Sequence, residues 1–234
     1  MTGIGFNSHE YEDVSFLKDG QGAPVAGPTV LMASGQTSAI SPNTVHPPGT
    51  VLVKKTGDGK FYLGTDTTNG DAPAAASINT LITNPGAGGW DGDLVIKGHW
   101  GTLTVALSGD NTDAAVAAAI IAAAAAVNPE YSPITAADAT GSVSITNKDT
   151  GKGTYLHAVH ATVTTMLGAS GADARGTDPE VVVTKDFADL LDRQGTAQDA
   201  QVPTYSKGRF LLAGLSGYTA ETLAVLERGG SEIL

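Results

Sequence analysis

The chain has 234 residues, of which 41% are hydrophobic and 16% are charged, and its formal net charge at pH 7 is −11. The hydrophobic share allows a folded core. The charged share is low against the roughly 25% of typical soluble proteins, so the surface must consist largely of Ser, Thr, Asn, Gly and Ala. The negative charge, with no basic cluster to offset it, argues against contacts with nucleic acid or anionic lipid. The absence of cysteine excludes disulfides and thiolate metal ligands.

The sequence shows no targeting or membrane-spanning pattern. Its first residues lack the basic and apolar regions of a secretory signal peptide. The longest apolar run, Ala114–Val127, is too short and too rich in alanine to cross a bilayer. We therefore expect a soluble protein without a membrane partner. Glycine and proline are dispersed among short apolar runs, which favours a β-rich chain with many turns.

Residues 1–45 are predicted to form an N-terminal arm, because they show little periodic patterning and are interrupted by glycine and proline. One short apolar run, Thr29–Ala33, could add as a strand to another protein. An arm of this kind cannot bury much surface by itself, so it is either disordered or ordered by a partner. The residues expected to contact that partner are Val14, Phe16, Leu17, Val30, Leu31 and Met32.

The clearest local signal is a β-hairpin. The β-branched run Thr50–Lys55 is followed by the turn Thr56–Gly59 and by a second apolar run, Lys60–Gly64. Asp-Gly between two apolar runs is typical of a hairpin turn, since glycine adopts positive φ angles at no steric cost. A further strand is expected at Ser77–Thr83. The residues that define this body hairpin are Gly49, Thr50, Val51, Leu52, Asp58, Gly59 and Phe61.

A different unit is predicted to start near Trp90. Its helix should run over Asp113–Val127, because N-cap residues precede this stretch and Asn128-Pro129 stops it. The strands expected around this helix are Asp93–Lys97, Gly101–Leu107, Ile134–Ala136, Gly141–Asn147 and Tyr155–Val159. The order strand, helix, strand, strand describes a small α+β unit, which a flexible segment over Gly168–Gly176 should follow.

The C-terminal stretch is predicted to return to β structure, with a strand at Glu180–Thr184 and a short helical turn over residues 187–191. The last element should be a helix over Ala220–Arg228, because Thr219 is a favourable N-cap and Gly229-Gly230 ends the pattern. The apolar residues after it are expected to pack into the core or into an interface.

No local motif supports catalysis. Gly168–Ala172 and Gly214–Tyr218 approach the nucleophile elbow of hydrolases, but each lacks the closing glycine. Gly151–Thr154 is similar to a phosphate-binding loop, but it lacks that motif's first glycine and no helix is expected after it. A hairpin turn is the better interpretation there. We therefore predict no catalytic residues and a protein that is not an enzyme.

Metal ligands are not predicted either. His157 and His160 lie three residues apart in an expected strand, so they would point to opposite faces of the sheet. Asp91 and Asp93 are close in sequence, but no full set of oxygen ligands for calcium accompanies them, and a solvated turn is favoured. We expect no metal and no cofactor.

Two separate blocks of the sequence share features with one known family. The first is the hairpin Pro48–Tyr62, and the second is Lys207–Phe210 followed by the closing helix Thr219–Leu226. Both blocks resemble segments of the lambda-type phage head-decoration proteins, which are capsid cement proteins. The segment between them, over residues 101–146, is similar to a small α+β insertion found in phage tail-sheath proteins.

The resemblance implies a mainly β fold with an α+β insertion. It implies a capsid-binding arm over residues 1–45, a small β-tulip-like body over 46–89 and 177–234, and an inserted β-α-β-β unit over 90–176. It also implies a structural virion protein that binds the major capsid protein as a homotrimer, without contacting nucleic acid, and stabilises the expanded capsid from outside. Such a protein is made in the host cytoplasm and resides on the outer surface of the capsid.

Two other hypotheses stay open at this point. The inserted unit also fits a structural component of a phage tail or baseplate, where it would mediate contacts within rings or sheaths. The third hypothesis is a glycan-binding adhesin or a hydrolase. It requires a concave pocket, for which the sequence gives no signal.

Overall fold

The computed structural model of the protein describes Leu17 and residues 24–36, 45–82, 90–110, 112–127, 132–138, 142–160 and 172–234. Strands predominate among these residues, so the prediction of a mainly β fold is confirmed. The chain divides into two compact units. Residues 1–71 and 179–234 form the first, which we call the barrel unit, and residues 72–178 form the second, which we call the insert.

In chain order, the described residues form sixteen strands, two α-helices and one 3-10 helix. They begin with β1 (Val25–Met32), β2 (Val45–His46), β3 (Val51–Lys54), β4 (Phe61–Leu63), β5 (Ala75–Ile82), β6 (Trp90–Gly98), β7 (Gly101–Asp110), α1 (Asp113–Val127), β8 (Ile134–Asp138), β9 (Ser142–Thr150) and β10 (Tyr155–His160). They continue with β11 (Ala172–Arg175), β12 (Val181–Thr184), β13 (Ala188–Asp189), β14 (Ala200–Lys207), β15 (Arg209–Phe210), a 3-10 helix (Leu212–Gly214), α2 (Ala220–Arg228) and β16 (Glu232–Ile233).

Five strands of the barrel unit form a closed barrel in the order β1, β14, β12, β3 and β4. Neighbouring strands run antiparallel, except that β1 and β4 meet in parallel at Met32 and Phe61 and so close the barrel. One buried apolar cluster receives side chains from all five strands. Its barrel-strand members are Val30, Met32, Leu52, Phe61, Leu63, Val182 and Val202.

The two strands β3 and β12 are buried on both faces. Their remaining apolar residues belong to a second cluster, to which α2 contributes. The buried members of this cluster are Val51, Val53, Val181, Val183, Phe210, Leu215, Val225 and Leu226. Because successive side chains of a strand point to opposite faces, a strand covered on both sides must be apolar throughout, which explains the continuous runs 51–53 and 181–183.

Helix α2 begins and ends where the sequence predicted. Its N-cap residue Thr219 accepts a hydrogen bond at Oγ1 from the backbone N–H of Thr222 (3.2 Å), and Thr222 Oγ1 accepts one from the backbone N–H of Thr219 (2.8 Å). This reciprocal pair satisfies two backbone donors that the first helical turn would otherwise leave unpaired. After the helix, Gly230 has a φ of 95°, a conformation that favours glycine.

The predicted hairpin is confirmed as the antiparallel pair β3–β4. Its turn is closed by a hydrogen bond from Lys55 N–H to the carbonyl oxygen of Lys60 (2.8 Å), and Gly59 has a φ of 73°. The carboxylate of Asp58 accepts a hydrogen bond from the backbone N–H of Lys60 (2.9 Å) and another from the hydroxyl of Tyr62 (2.6 Å). The Asp-Gly pair thus stabilises the turn through side chain and backbone together.

The insert has its own hydrophobic core between two sheets and a helix. One sheet has the order β11, β10, β6 and β7, and the other has the order β5, β9 and β8. Helix α1 has the bounds that the sequence predicted, and it contacts β7, β8 and β9. It buries Val116, Ala117, Ile120 and Ala124, whereas Val127 at its end is exposed.

The structure draws the boundaries of the insert differently from the sequence analysis. The prediction assigned residues 46–89 to the body and residues 90–176 to the insert, whereas the insert spans residues 72–178. Strand β5 is responsible for most of the difference, because it pairs with β9. A strand's sequence does not identify its partner, so β5 could be recognised as a strand but not assigned to a unit.

Three other expectations are corrected. Within the predicted arm, β1 pairs with β14 in the barrel, so residues 25–32 are part of the body. The expected helical turn over residues 187–191 is wrong, because residues 188 and 189 form β13 and pair with β2. The expected flexible segment over residues 168–176 contains β11, which pairs with β10, and its residues 168–171 lie outside the described residues.

We predict unequal effects on stability for substitutions of two neighbouring isoleucines of α1. Ile120 is fully buried and Ile121 is 46% exposed. Ile120→Ala should lower the free energy of unfolding of the insert by about 2–5 kcal/mol, because it leaves a cavity, whereas Ile121→Ala should change it by less than about 1 kcal/mol. Urea unfolding followed by tryptophan fluorescence measures this, since both tryptophans, at positions 90 and 100, lie in the insert. Equal losses for the two variants would contradict the described orientation of α1.

Candidate functional site

The residues predicted for the capsid-binding arm have different environments. Val14 and Phe16 lie outside the described residues. Leu17 forms a backbone bridge with Phe210 and packs against the cluster to which α2 contributes. In β1, Val30 and Met32 point into the barrel, and Leu31 between them is 38% exposed. Because side chains alternate along the strand, Leu31 is the one of these three that could contact a partner from the outer face.

The predicted hairpin residues meet the C-terminal block at a buried polar contact, which we call the Thr50 junction and which comprises Pro47, Thr50, Thr184 and Ser216. The hydroxyls of Thr50 and Thr184 both donate to the carbonyl oxygen of Pro47, at 2.7 Å and 3.1 Å. The backbone N–H of Thr50 donates to Thr184 Oγ1 (3.0 Å). Because the proton of the Thr50 hydroxyl is already donated, Ser216 Oγ is the donor in the 3.1 Å contact with Thr50 Oγ1.

The backbone reinforces the Thr50 junction. Val51 N–H donates to the carbonyl oxygen of Ser216 (2.8 Å), and Ser216 N–H donates to that of Gly49 (3.1 Å). Ser216 lies in the segment that approaches the hydrolase elbow, and its side chain is buried. Its hydroxyl therefore joins two segments of the barrel unit and does not face a cleft.

A concave pocket lies beside β4 in the barrel unit, with a volume of about 400 Å³. Its residues come from the segment after β1, from β4 and from the loop after β4: Ser34, Gly35, Gln36, Tyr62, Leu63, Thr65, Asp66 and Asn69. We call it the Asp66 pocket. The buried side chain of Gln36 is fixed there, since Nε2 donates to the carbonyl oxygen of Ala33 (3.0 Å) and Oε1 accepts from Leu63 N–H.

The loop that carries Asp66 and Asn69 is held by its own side chains. Asp66 Oδ1 accepts hydrogen bonds from the backbone N–H groups of Thr68 (3.2 Å) and Asn69 (3.1 Å). Asp66 Oδ2 accepts a third from Asn69 Nδ2 (2.9 Å). The carboxylate and the amide are therefore fixed side by side at the edge of the pocket.

The tyrosine of the pocket is held by a charged neighbour. The hydrogen bond from Tyr62 to Asp58 raises the pKa of Tyr62 to about 12 and lowers the pKa of Asp58 below its usual value. At any physiological pH Tyr62 therefore keeps its proton. Nearby, Lys60 Nζ forms an ion pair with Asp199 (2.7 Å), and the hydrogen bond within this pair lowers the pKa of Asp199 and raises that of Lys60.

The candidate metal ligands do not come together. His157 contacts Asp173 (Nδ1 to Oδ1, 2.9 Å), whereas His160 is buried on the opposite face of β10. Asp91 and Asp93 are exposed on β6, where the sequence analysis expected a turn. Within the part of the chain that the structure describes, no group of three or more His, Asp or Glu side chains could hold a metal ion.

The segment that is similar to a phosphate-binding loop, residues 151–154, links β9 to β10. These two strands belong to different sheets. The segment is therefore a connection between sheets, and the predicted hairpin turn is wrong.

Comparison with known proteins returned no match to any family model, curated protein or solved structure. Among the described residues, no helix is both long and apolar enough to cross a membrane. The Asp66 pocket was not predicted from the sequence. The run Asp66–Gly70 predicts only the turn beside it, because aspartate followed by Thr-Thr-Asn-Gly is typical of a side-chain-stabilised turn. Nothing local indicates that Gln36 lines the same pocket as this turn.

We predict that the Thr50 junction contributes measurably to the stability of the barrel unit. Thr184→Val removes the acceptor for the buried N–H of Thr50 without a large change of volume, and should cost about 1–3 kcal/mol. Thr68→Val is the control, because the Thr68 side chain is exposed. Amide hydrogen exchange of β3 measures the difference in stability between Thr184→Val and Thr68→Val. Unchanged protection of Val51 and Val53 in Thr184→Val would contradict the role of the junction.

Acid should destabilise the barrel unit through His46. Burial lowers the pKa of His46 below 6.5, while its Nε2–H donates to the carbonyl oxygen of Gln36 (3.0 Å). Below about pH 6.5 the unfolded chain binds a proton that the folded chain does not, so stability falls with pH until the folded-state pKa is reached. His46→Gln should remove this part of the pH dependence between pH 7.5 and 5 in denaturant titrations. If the free energy of unfolding of His46→Gln falls with pH as steeply as that of the unsubstituted protein, groups other than His46 cause the dependence.

Proposed function

We propose that the chain is a structural virion protein that binds the outer surface of an expanded phage capsid as a homotrimer and stabilises it. One observation carries the proposal. The two blocks that resemble head-decoration proteins, residues 48–62 and 207–226, belong to one barrel unit. Beside the Thr50 junction, backbone hydrogen bonds join them directly, from Val51 to Ser216 and from Ser216 to Gly49.

The way the chain enters and leaves the insert supports this proposal. Ala74 N–H donates to the carbonyl oxygen of Thr177 (2.8 Å), and Thr177 N–H donates back to that of Ala74 (3.1 Å). The ends of the insert are therefore adjacent, which is the geometry in which one domain can be inserted into a loop of another. A decoration-type body that carries an additional domain between β4 and β12 explains both blocks and the segment between them.

The outer face of the barrel offers a means of attachment. Val25 at the start of β1 and Leu31 near its end are both exposed apolar side chains, and residues 1–23 of the predicted arm precede them in the chain. An arm that adds as a strand to the capsid protein would bind mainly through its backbone, which tolerates the polar composition of residues 1–23. Repetition of one modest contact around a shell would give strong total attachment.

The proposal predicts the oligomeric state and the binding partner. Purified protein should have about three times the chain mass of 23.6 kDa in light scattering. It should sediment with empty expanded shells of the capsid protein encoded by the same genome, and should leave unexpanded shells unbound. A monomer that ignores both shells would contradict the proposal. Sixfold rings in negative-stain images would instead favour the tail or baseplate hypothesis.

Deleting residues 1–16 tests the arm separately, because the deletion ends before Leu17, which contacts the barrel unit. The deletion should weaken shell binding by at least about 100-fold through the loss of many repeated contacts, and should leave the unfolding temperature unchanged. Leu31→Ser tests in the same shell-binding assay whether the outer face of the barrel contributes to attachment. Full shell binding after the deletion would show that the arm does not attach the protein.

A further inference from the structure

We propose that the Asp66 pocket binds a neutral polyhydroxylated ligand, namely one or two sugar units of a glycan. This site would be an activity additional to capsid attachment, and it does not depend on that function. It lies wholly within the barrel unit, between the segment after β1, β4 and the loop after β4.

The shape of the pocket suits a small ligand and is formed in advance. Its volume of about 400 Å³ lies within the range of roughly 300–1,000 Å³ that is usual for small-molecule sites. Gln36 is 7% exposed and is held by hydrogen bonds on both ends of its amide, so this wall cannot collapse without breaking them. Asp66 and Asn69 fix each other on the other side. A ligand would therefore find its polar partners already positioned.

The lining decides which class of ligand fits. Five of its eight residues are neutral and carry polar side chains, and Asp66 is the one charged residue among them. An apolar ligand would leave these groups without partners, which costs free energy. An anion would meet the carboxylate of Asp66 with no cation in the lining to offset it.

The charges beyond the lining give a cationic ligand little additional attraction, because they nearly cancel. The carboxylates of Asp58 and Asp199 also act on Tyr62, but lysines accompany both of them. Lys60 is paired with Asp199 (2.7 Å), and Lys55 and Lys60 both lower the pKa of Asp58. The one carboxylate of the lining is thus left as a hydrogen-bond acceptor in a nearly balanced environment.

Hydroxyl groups match what these side chains offer. One N–H of the Asn69 amide is donated to Asp66 (2.9 Å) and the hydroxyl proton of Tyr62 is donated to Asp58 (2.6 Å), whereas the oxygen atoms of both side chains can still accept. Asp66 and Asn69 therefore present adjacent acceptors to two neighbouring hydroxyls of a sugar ring, and a bond from a hydroxyl to the carboxylate is charge-assisted. The exposed Thr65 hydroxyl can donate as well as accept, whereas the Ser34 hydroxyl donates to Asp199 and is left as an acceptor. The half-buried ring of Tyr62 adds an apolar surface for the C–H groups of the sugar.

Titration of the full chain with simple sugars tests the proposal. The probes are the methyl glycosides of glucose, galactose, mannose and N-acetylglucosamine, observed by amide chemical shifts in NMR spectra. At least one should shift the amides of Gln36, Leu63 and Asn69 in a saturable manner, with a Kd of about 1–10 mM, as expected for a few hydrogen bonds in an open site.

A matched pair of variants identifies the site. Thr65 lines the pocket, whereas Thr67, two residues away, is also exposed and does not line it. Thr65→Arg fills the pocket and supplies a cation to Asp66, so it should weaken sugar binding at least tenfold. Thr67→Arg introduces the same charge outside the pocket and should leave the Kd within about twofold, since an exposed charge has only a screened effect.

Three results would overturn the proposal. The first is the absence of saturable shifts with all the sugar probes at concentrations up to ~100 mM, far above the Kd expected for such a site. The second is an equal effect of Thr65→Arg and Thr67→Arg, which would place binding elsewhere. The third is saturation of the same amides by arginine methyl ester but by none of the sugars, which would make the pocket a site for cationic side chains. None of these results bears on the trimer or on shell binding, so the capsid proposal is tested independently.

Discussion

The barrel unit depends on how β3 is fixed in register. Strand β3 is covered on both faces, so Val51, Leu52 and Val53 are all buried. A strand of this kind can slip by one residue and still bury apolar side chains, so the hydrophobic pattern cannot specify its register. The Thr50 junction can specify the register of β3, because its hydroxyls and backbone groups are buried and pair in one alignment only. A slip would leave the N–H of Thr50 and the hydroxyl of Ser216 without partners in a place that water does not reach.

The same junction explains how the barrel tolerates a long interruption. Val51 pairs with Val183 across a gap that contains the whole insert. Closing a flexible loop of that length would cost conformational entropy. The insert reduces this cost because it folds around its own core and brings Ala74 and Thr177 together by two hydrogen bonds. To the barrel, the insert therefore acts like a short connection between β4 and β12.

One hairpin contributes to both proposed activities. The β3 side of it contacts the C-terminal block, which is the basis for the capsid-attachment proposal, while β4 and the loop after it border the Asp66 pocket. The hydrogen bond from Tyr62 to Asp58 connects the hairpin turn to the pocket. The buried His46 holds the backbone of Gln36, so a single network extends from β2 to the pocket wall. Attachment and ligand binding can nevertheless vary separately, because different side chains carry them.

The sequence by itself determined the elements whose stability comes from neighbouring residues. The hairpin around Asp58, the bounds of α1 and the capped helix α2 all depend on turn chemistry, caps and periodicity within a few positions. Tertiary structure alone decided which strands pair. The run Val30–Met32 is equally apolar whether it adds to a capsid protein or to β14, and β5 shows no local preference for β9. The Asp66 pocket was also decided by tertiary structure alone, because Gln36 and Asp66 line one pocket only after β1 and β4 close the barrel. Local sequence encodes local geometry, whereas pairing and cavities depend on contacts between distant segments.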